Sequence, residues 1–152
     1  MPGIKLSIEP LQEAQLSFLN EVRNECREFL HDNREFTLKE TYDWYYKENP
    51  EYYICRVNGG MVGYFRTLYD TKDSLLIGMD LHHSERGMGY AKAFYYLFFS
   101  YLAHELEKTS VYLEVLESNK RAFQLYQDLG FSVFDERGVP GRGRSFKMYR
   151  SL

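Results

Sequence analysis

From residue 88 to about 107 the chain is apolar on nearly every side of a helix, and Ala93 to Ala103 carries no charge at all. Such a helix has no solvent face to spare and must be covered by other elements. At 11 residues, bounded by Lys92 and His104, the uncharged run is too short to span a bilayer. Strand-like segments lie on either side, "SLLIGMDL" before it and "VYLEVLE" at 111 to 117. A strand, a helix and a second strand need a crossover, and a crossover joins parallel strands. The middle of this chain therefore dictates a buried parallel pair with a helix packed on it.

The other elements join that unit as hairpins and amphipathic helices. Residues 4 to 9, "IKLSIE", alternate apolar and polar and predict a strand ended by Pro10. Leu11, Ala14, Phe18, Val22, Cys26 and Phe29 recur at helical spacing to about residue 30, with a break expected near Asn24. Thr37 with Glu40 three residues later forms a capping box for a second helix carrying Tyr42, Trp44, Tyr45 and Tyr46. "YYICRV" and "MVGYFRTLY" flank "NGG", the turn of a hairpin. Gly78, inside the next strand, predicts a bulge or a close backbone approach. "SNKRAFQLYQDLG" is helical with Gly130 placed to end it, and "FSVFDER" and "RSFKMYR" enclose the "GVPGRG" loop as a last hairpin. The order is β-α-α-β-β-β-α-β-α-β-β, an α/β (mixed α+β) fold with a mixed sheet of about seven strands and about four helices. Nothing divides the 152 residues, so one domain, 1–152, is expected.

Composition narrows the function classes. Nineteen Lys and Arg against 22 Asp and Glu give a net charge of −3, which offers no general attraction to nucleic acid or to an anionic membrane. The opening "MPGIKLSIEP" has no apolar signal region, so a cytoplasmic protein with Cys26 and Cys55 reduced is expected.

The loop ahead of the apolar helix, Arg86-Gly87-Met88-Gly89-Tyr90-Ala91, has the makings of an anion site. The first N–H groups of a helix have no intrahelical partners, and its dipole presents positive charge there. Gly87 and Gly89 remove side chains that would block approach, and Arg86 adds a planar cation suited to phosphate. The alternative is a tight turn with a solvated arginine. A P-loop is excluded by spacing, and Gly87-Met88-Gly89 is followed by Lys92 where a dinucleotide fingerprint needs glycine.

The same six residues resemble the Arg/Gln-x-x-Gly-x-Gly/Ala loop of the GNAT superfamily of N-acetyltransferases. "LEVLESNKRAFQLYQDLGF", residues 113 to 131, is similar to that family's later segment, with Asn119, Ala122, Leu125, Tyr126, Gly130 and Phe131 in register. The resemblance implies a splayed sheet and acetyl-CoA as cosubstrate. It implies that Met79, Asp80 and Leu81 offer backbone groups to the pantetheine arm and thioester, and that this strand bulges. It further implies that Arg86, Gly87, Met88, Gly89, Tyr90 and Ala91 hold the pyrophosphate, and that Asn119 bonds the pantetheine. Tyr126 is expected near the cofactor sulfur, and the cofactor in a V-shaped opening between the strands at 75 to 81 and 111 to 117.

Amide formation from a thioester needs a neutral amine and a protonated leaving thiolate. An α-amino group with pKa about 8 is neutral roughly one time in ten at pH 7, a lysine amine less than one time in a thousand. Glu114 is the candidate base, because it interrupts an apolar strand opposite Leu113 and Val115 and matches the base of ribosomal-protein alanine acetyltransferases. Glu117 or ordered water is the reserve. Tyr126, with phenol pKa about 10 against about 8.5 for a thiol, is the candidate acid.

His82 and His83, as neighbours in an extended segment, are expected to point to opposite faces, and no metal is expected. Acceptor contacts fall to the segments outside both motifs: the aromatics of the second helix, and the cluster Arg137, Arg142, Arg144, Lys147 and Arg150, read either as a solvated hairpin or as contacts to an anionic acceptor. Flat aromatics stack on rings and arginine binds phosphate, so a small-molecule amine, first a nucleotide-linked amino sugar, is the expected acceptor. A peptide N-terminus is the second expectation, and a catalytically silent acyl-CoA-binding module the rival in another class. A homodimer is compatible with either.

Overall fold

The computed structural model describes residues 3–152; Met1 and Pro2, with which the expected domain and the reading of the N-terminus begin, lie outside the described residues. Seven strands form one sheet in the order β1-β2-β3-β4-β5-β7-β6. They are β1 Leu6–Pro10, β2 Tyr53–Val57, β3 Gly60–Asp70, β4 Ser74–Leu81, β5 Ser110–Leu116, β6 Ser132–Val139 and β7 Gly143–Ser151. The helices are α1 Leu16–Glu25, α2 Leu38–Glu48, α3 Tyr90–His104 and α4 Lys120–Asp128. Short 3-10 turns precede α1 and follow it at Arg27–Phe29, so the predicted break falls at Cys26, two residues beyond Asn24.

Local signals act where the sequence places them. Asn58 and Gly59 both have positive φ, 49° and 85°, the pattern of a two-residue turn whose twist matches the β2–β3 strands. Thr37 Oγ1 accepts from the Glu40 N–H at 3.1 Å while Glu40 Oε1 accepts from the Thr37 N–H at 3.1 Å, which closes the capping box of α2.

The sheet has a core on each face. Alternation along β2 and β3 sends Tyr53, Cys55 and Phe65 to one side and Ile54 and Tyr64 to the other. The first side packs α3 through Phe94, Tyr95, Phe98 and Leu102, each at most 1% exposed. The second packs α1 through Leu16, Leu19 and Val22. Burial against the sheet accounts for one side of α3 only: Tyr96 and Leu97 on its other side are 48% and 36% exposed, so the expected cover on every side is not found among the described residues.

The crossover through α3 does make β4 and β5 parallel, but their ladder holds only from Ser74–Ser110 to Leu76–Tyr112. Beyond Leu76 the two strands part, which opens the splayed cleft. From Ile77 to Leu81, β4 keeps only its β3 neighbour. Gly78 marks the close approach rather than the bulge: it pairs in register with Arg66, and a Cβ there would lie 2.4 Å from Arg66 Nη2. The register shift of this pair falls between Thr67 and Tyr69 on β3.

Candidate active site

The cleft between β4 and β5 holds one cavity, and a second lies between the sheet and the α1–α2 connection; each has a volume of about 620 Å³. They share Leu30, Arg66 and Glu114, so the two spaces meet at a glutamate and an arginine.

Met79, Asp80 and Leu81 line the first cavity along the parted edge of β4. Gly87 and Gly89 both sit at φ 80°, and Gly89 is the residue before the first turn of α3, so the free N–H groups of Tyr90 and Ala91 open into the same cavity. A Cβ at either glycine would require the strained left-handed conformation. Met88 is 56% exposed and is not part of the lining. The Arg86 guanidinium turns to the cavity wall, where Nε donates to the Leu81 carbonyl at 3.3 Å and Nη2 to Cys26 Sγ at 3.1 Å. Burial pushes the Cys26 thiol up to about 12 despite Arg86, so it stays protonated and unreactive. A second cation, Arg121 on α4, lies over Gly87, its Nη2 3.2 Å from where a Cβ there would sit. The sequence reading passed over Arg121 because its spacing from the loop is tertiary.

Asn119 lines this cavity and caps α4, its Oδ1 accepting from the Ala122 N–H at 3.3 Å. Tyr126 faces the cavity from α4 and is 8% exposed. Burial raises its pKa, against the Tyr95 hydroxyl, which donates to the Tyr126 oxygen at 3.4 Å, so the phenol is held neutral with its own proton free.

Glu114 points to the side opposite Leu113 and Val115, which are 1% and 4% exposed. Its Oε2 lies 3.5 Å from Arg137 Nη2 and 3.8 Å from His31 Nε2. His31 in turn bonds Ser145 Oγ at 2.6 Å, and burial lowers its pKa, so the ring is neutral at pH 7. Glu117 lines neither cavity.

Arg66 is a further residue that sequence reasoning missed. Its Nε is 3.2 Å from Asp80 Oδ2, with the carboxylate 4% exposed. Burial opposes the guanidinium charge, but Asp80 outweighs it and raises the arginine's pKa. An arginine inside the apolar "YFRTLY" was a signal of the same kind as Glu114. Arg23, on α1, faces the second cavity, stacks on Phe36 at 4.2 Å and donates to the Asp32 carbonyl at 2.6 Å and to the Arg34 carbonyl. Among the described residues no carboxylate lies within 4 Å of its guanidinium. By contrast, the carboxylates of that cavity are engaged: Asp32 with Arg34 at 2.7 Å, Asp43 with Lys39 at 2.8 Å, Glu40 in the α2 cap.

The aromatic and basic groups proposed for the acceptor divide. Trp44 lines the second cavity and starts a ladder to Tyr52 at 5.1 Å and on to Tyr64 at 5.9 Å, whereas Tyr46 is 63% exposed outside it. Of the basic cluster only Arg137 reaches that cavity. Arg142 ties down the carbonyls of Glu28 and Leu30, Arg144 pairs with Glu136, and Arg150 lies 4.4 Å over Phe99. His82 and His83 depart from expectation, because a 3-10 turn begins at His83 and brings both rings to one side, stacked at 4.5 Å. No helix among the described residues is long and apolar enough to cross a membrane.

The family model of the acetyltransferase (GNAT) family matches residues 16–131. None of the curated proteins matches the chain in sequence. Among solved structures, the spermidine N-acetyltransferase of Vibrio cholerae in complex with CoA and spermine is 18% identical, covers 96% of this chain and 95% of its own, and superposes with a TM-score of 0.88. The Salmonella typhimurium protein yncA, solved with its cofactor acetyl-CoA, is 16% identical over 97% of this chain and 94% of its own, with a TM-score of 0.79. At these identities the likeness is one of fold.

Proposed function

The chain belongs to the acetyltransferase (GNAT) family, and from that premise we propose that it moves an acetyl group from acetyl-CoA directly to the primary amine of a small molecule that carries negative charge, first a nucleotide-linked amino sugar. Residues 1–152 act in this reading as one acetyltransferase domain. The observation that carries it is the meeting of the two cavities at Glu114 and Arg66, which gives a donor and an acceptor one common wall.

Acetyl-CoA lies along β4 with its pyrophosphate on the Gly87–Ala91 turn, supported by Arg121 and the dipole of α3. The pantetheine amides meet the parted β4 edge at Met79–Leu81 and the side-chain amide of Asn119. Glu114 takes the proton of the acceptor ammonium, and the neutral nitrogen attacks the thioester carbonyl. As the tetrahedral intermediate collapses, the C–S bond breaks, Tyr126 gives its proton to the departing sulfur and the nitrogen loses its surplus proton to solvent, which leaves the neutral amide; solvent then reprotonates Tyr126 and takes the proton from Glu114. Direct transfer needs no covalent enzyme intermediate.

The acceptor's charge is argued from Arg23 and Arg66. A polyamine, the ligand named for the Vibrio cholerae protein, would face an arginine without a carboxylate partner and carboxylates already paired. An anionic group finds Arg23 held in place, and a ring finds the Trp44–Tyr52 wall. Steady-state acetylation of a nucleotide-linked 4-amino sugar, spermidine and short peptides with free N-termini decides among them. A kcat/KM at least tenfold higher for the sugar is expected; a preference for spermidine or a peptide overturns the acceptor class, and CoA binding without turnover of any amine points to a silent module.

A further inference from the structure

Apart from both cavities, one group of side chains has the donors of a metal centre. Glu21 and Glu25, one turn apart on α1, face His82 and His83 where β4 gives way to the 3-10 turn. His83 Nδ1 lies 3.0 Å from Glu25 Oε1, and His82 Nε2 lies 3.5 Å from that oxygen and 3.5 Å from Glu21 Oε1. One donor atom from each of Glu25, His82 and His83 falls within 4.8 Å of the others.

We propose that Glu25, His82 and His83, with Glu21 as fourth ligand, bind a divalent transition-metal ion, Zn²⁺ first, which ties α1 to the segment that leads into the Gly87–Gly89 loop. Zn–N and Zn–O bonds of about 2.0–2.2 Å in a tetrahedron place neighbouring donors about 3.3 Å apart. The separations of 3.0, 3.5 and 3.5 Å bracket that value. The donor atoms of Glu25, His82 and His83 lie within 4.8 Å of one another, and the His83 side chain, 64% exposed, has room to turn toward a common centre. Two imidazoles and two carboxylates suit zinc and its neighbours, whereas Mg²⁺ and Ca²⁺ require an all-oxygen shell.

The surroundings orient the donors. The His83 N–H donates to Glu25 Oε2 at 3.2 Å, which leaves Oε1 turned to the two rings. Ser84 Oγ lies 2.8 Å from His82 Nδ1. With the ion bound, Nδ1 keeps the proton and donates to Ser84 Oγ, and the Nε2 lone pair goes to the metal. The Ser84 N–H, 3.2 Å from Nδ1, gives up its contact with that ring. The site adjoins the cofactor loop: Cys26 follows Glu25 in sequence and contacts Arg86, three residues beyond His83. The inference does not depend on the acceptor reading.

The test is calorimetric titration of chelator-treated full-length protein with Zn²⁺, and with Co²⁺ as an absorbing probe. One ion per chain is expected, with visible Co²⁺ bands of a nitrogen and oxygen shell. Glu25→Gln, His82→Gln and His83→Gln should each weaken binding at least tenfold, and Cys26→Ser should leave it unchanged. His83→Gln alters an exposed ring, and circular dichroism checks that each variant is folded. Zn²⁺ binding that survives the His82→Gln/His83→Gln double variant, a sulfur-to-Co²⁺ band lost in Cys26→Ser, or no stoichiometric uptake by the folded wild type overturns the assignment.

Discussion

At Tyr126 and Glu114 the environment does what residue type alone cannot. Tyr95 donates to the Tyr126 oxygen and burial keeps the phenol neutral, which supports its proposed role as proton donor to the leaving thiolate. Tyr126→Phe should lower kcat by about 10²-fold, the low end for a general acid, with CoA affinity little changed by calorimetry. Glu114→Gln should lower kcat/KM by a similar factor and flatten its acid limb; an intact pH profile would move the base to Glu117 or ordered water. Gly78 supplies a structural counterpart. A methyl group there meets Arg66 Nη2 at 2.4 Å and forces the guanidinium off Asp80, an overpacking cost of about 1–3 kcal/mol. Urea unfolding of Gly78→Ala measures it, and an unchanged midpoint would mean that Arg66 relaxes without loss.

Among the elements, the turn from β4 into α3 is the one to which the proposed function assigns the pyrophosphate. Gly87 and Gly89 provide left-handed corners that expose the first N–H groups of α3, and a helix N-terminus favours an anion by about 0.3–1 kcal/mol before any side chain acts. Gly89→Asp places negative charge and a strained φ at that point, and CoA affinity by calorimetry should fall at least tenfold while the fold survives. Arg121→Gln should weaken CoA in the same direction through α4, since its guanidinium stands over Gly87. Equal affinity in a folded Gly89→Asp variant would remove the pyrophosphate from this turn.

At the scale of the whole molecule, His31 joins the α1–α2 connection to β5 and β7 through Glu114 and Ser145, and its half-buried ring couples the fold to pH. Burial lowers its pKa, reinforced by Arg137, Arg66 and Arg142 and opposed by Glu114. A histidine depressed in the folded state binds fewer protons there than in the unfolded chain, so its stabilisation is complete above about pH 6.5 and is lost as pH falls below that value. Thermal unfolding between pH 7.5 and 5 should show a declining Tm, and His31→Gln should flatten that decline. A steeper decline in the variant would reverse the sign and place the charged ring in the native state.

Element identity was legible because it rests on near neighbours: the capping box at Thr37, the Asn58-Gly59 turn, the apolar run of α3 and the glycine corners all act within a few residues. The parallel β4–β5 pair was legible too, since a helix between strands admits little else. Family membership followed from two such local segments and is matched over residues 16–131. Tertiary structure alone decided the rest. The parting of β4 from β5 after Leu76 is a property of how the two strands pair, and no residue pattern within either strand announces it. Arg23, Arg66 and Arg121 join the cavities from α1, β3 and α4, at sequence distances no spacing rule spans. Most of the C-terminal arginines spend their charge on nearby carbonyls, a carboxylate and a ring. His82 and His83, which alternation sends to opposite faces of an extended chain, share one face because the strand has ended at Leu81 and a 3-10 turn begins at His83. Charge and periodicity are properties of the chain, but which charges remain unpaired is settled only when distant segments meet.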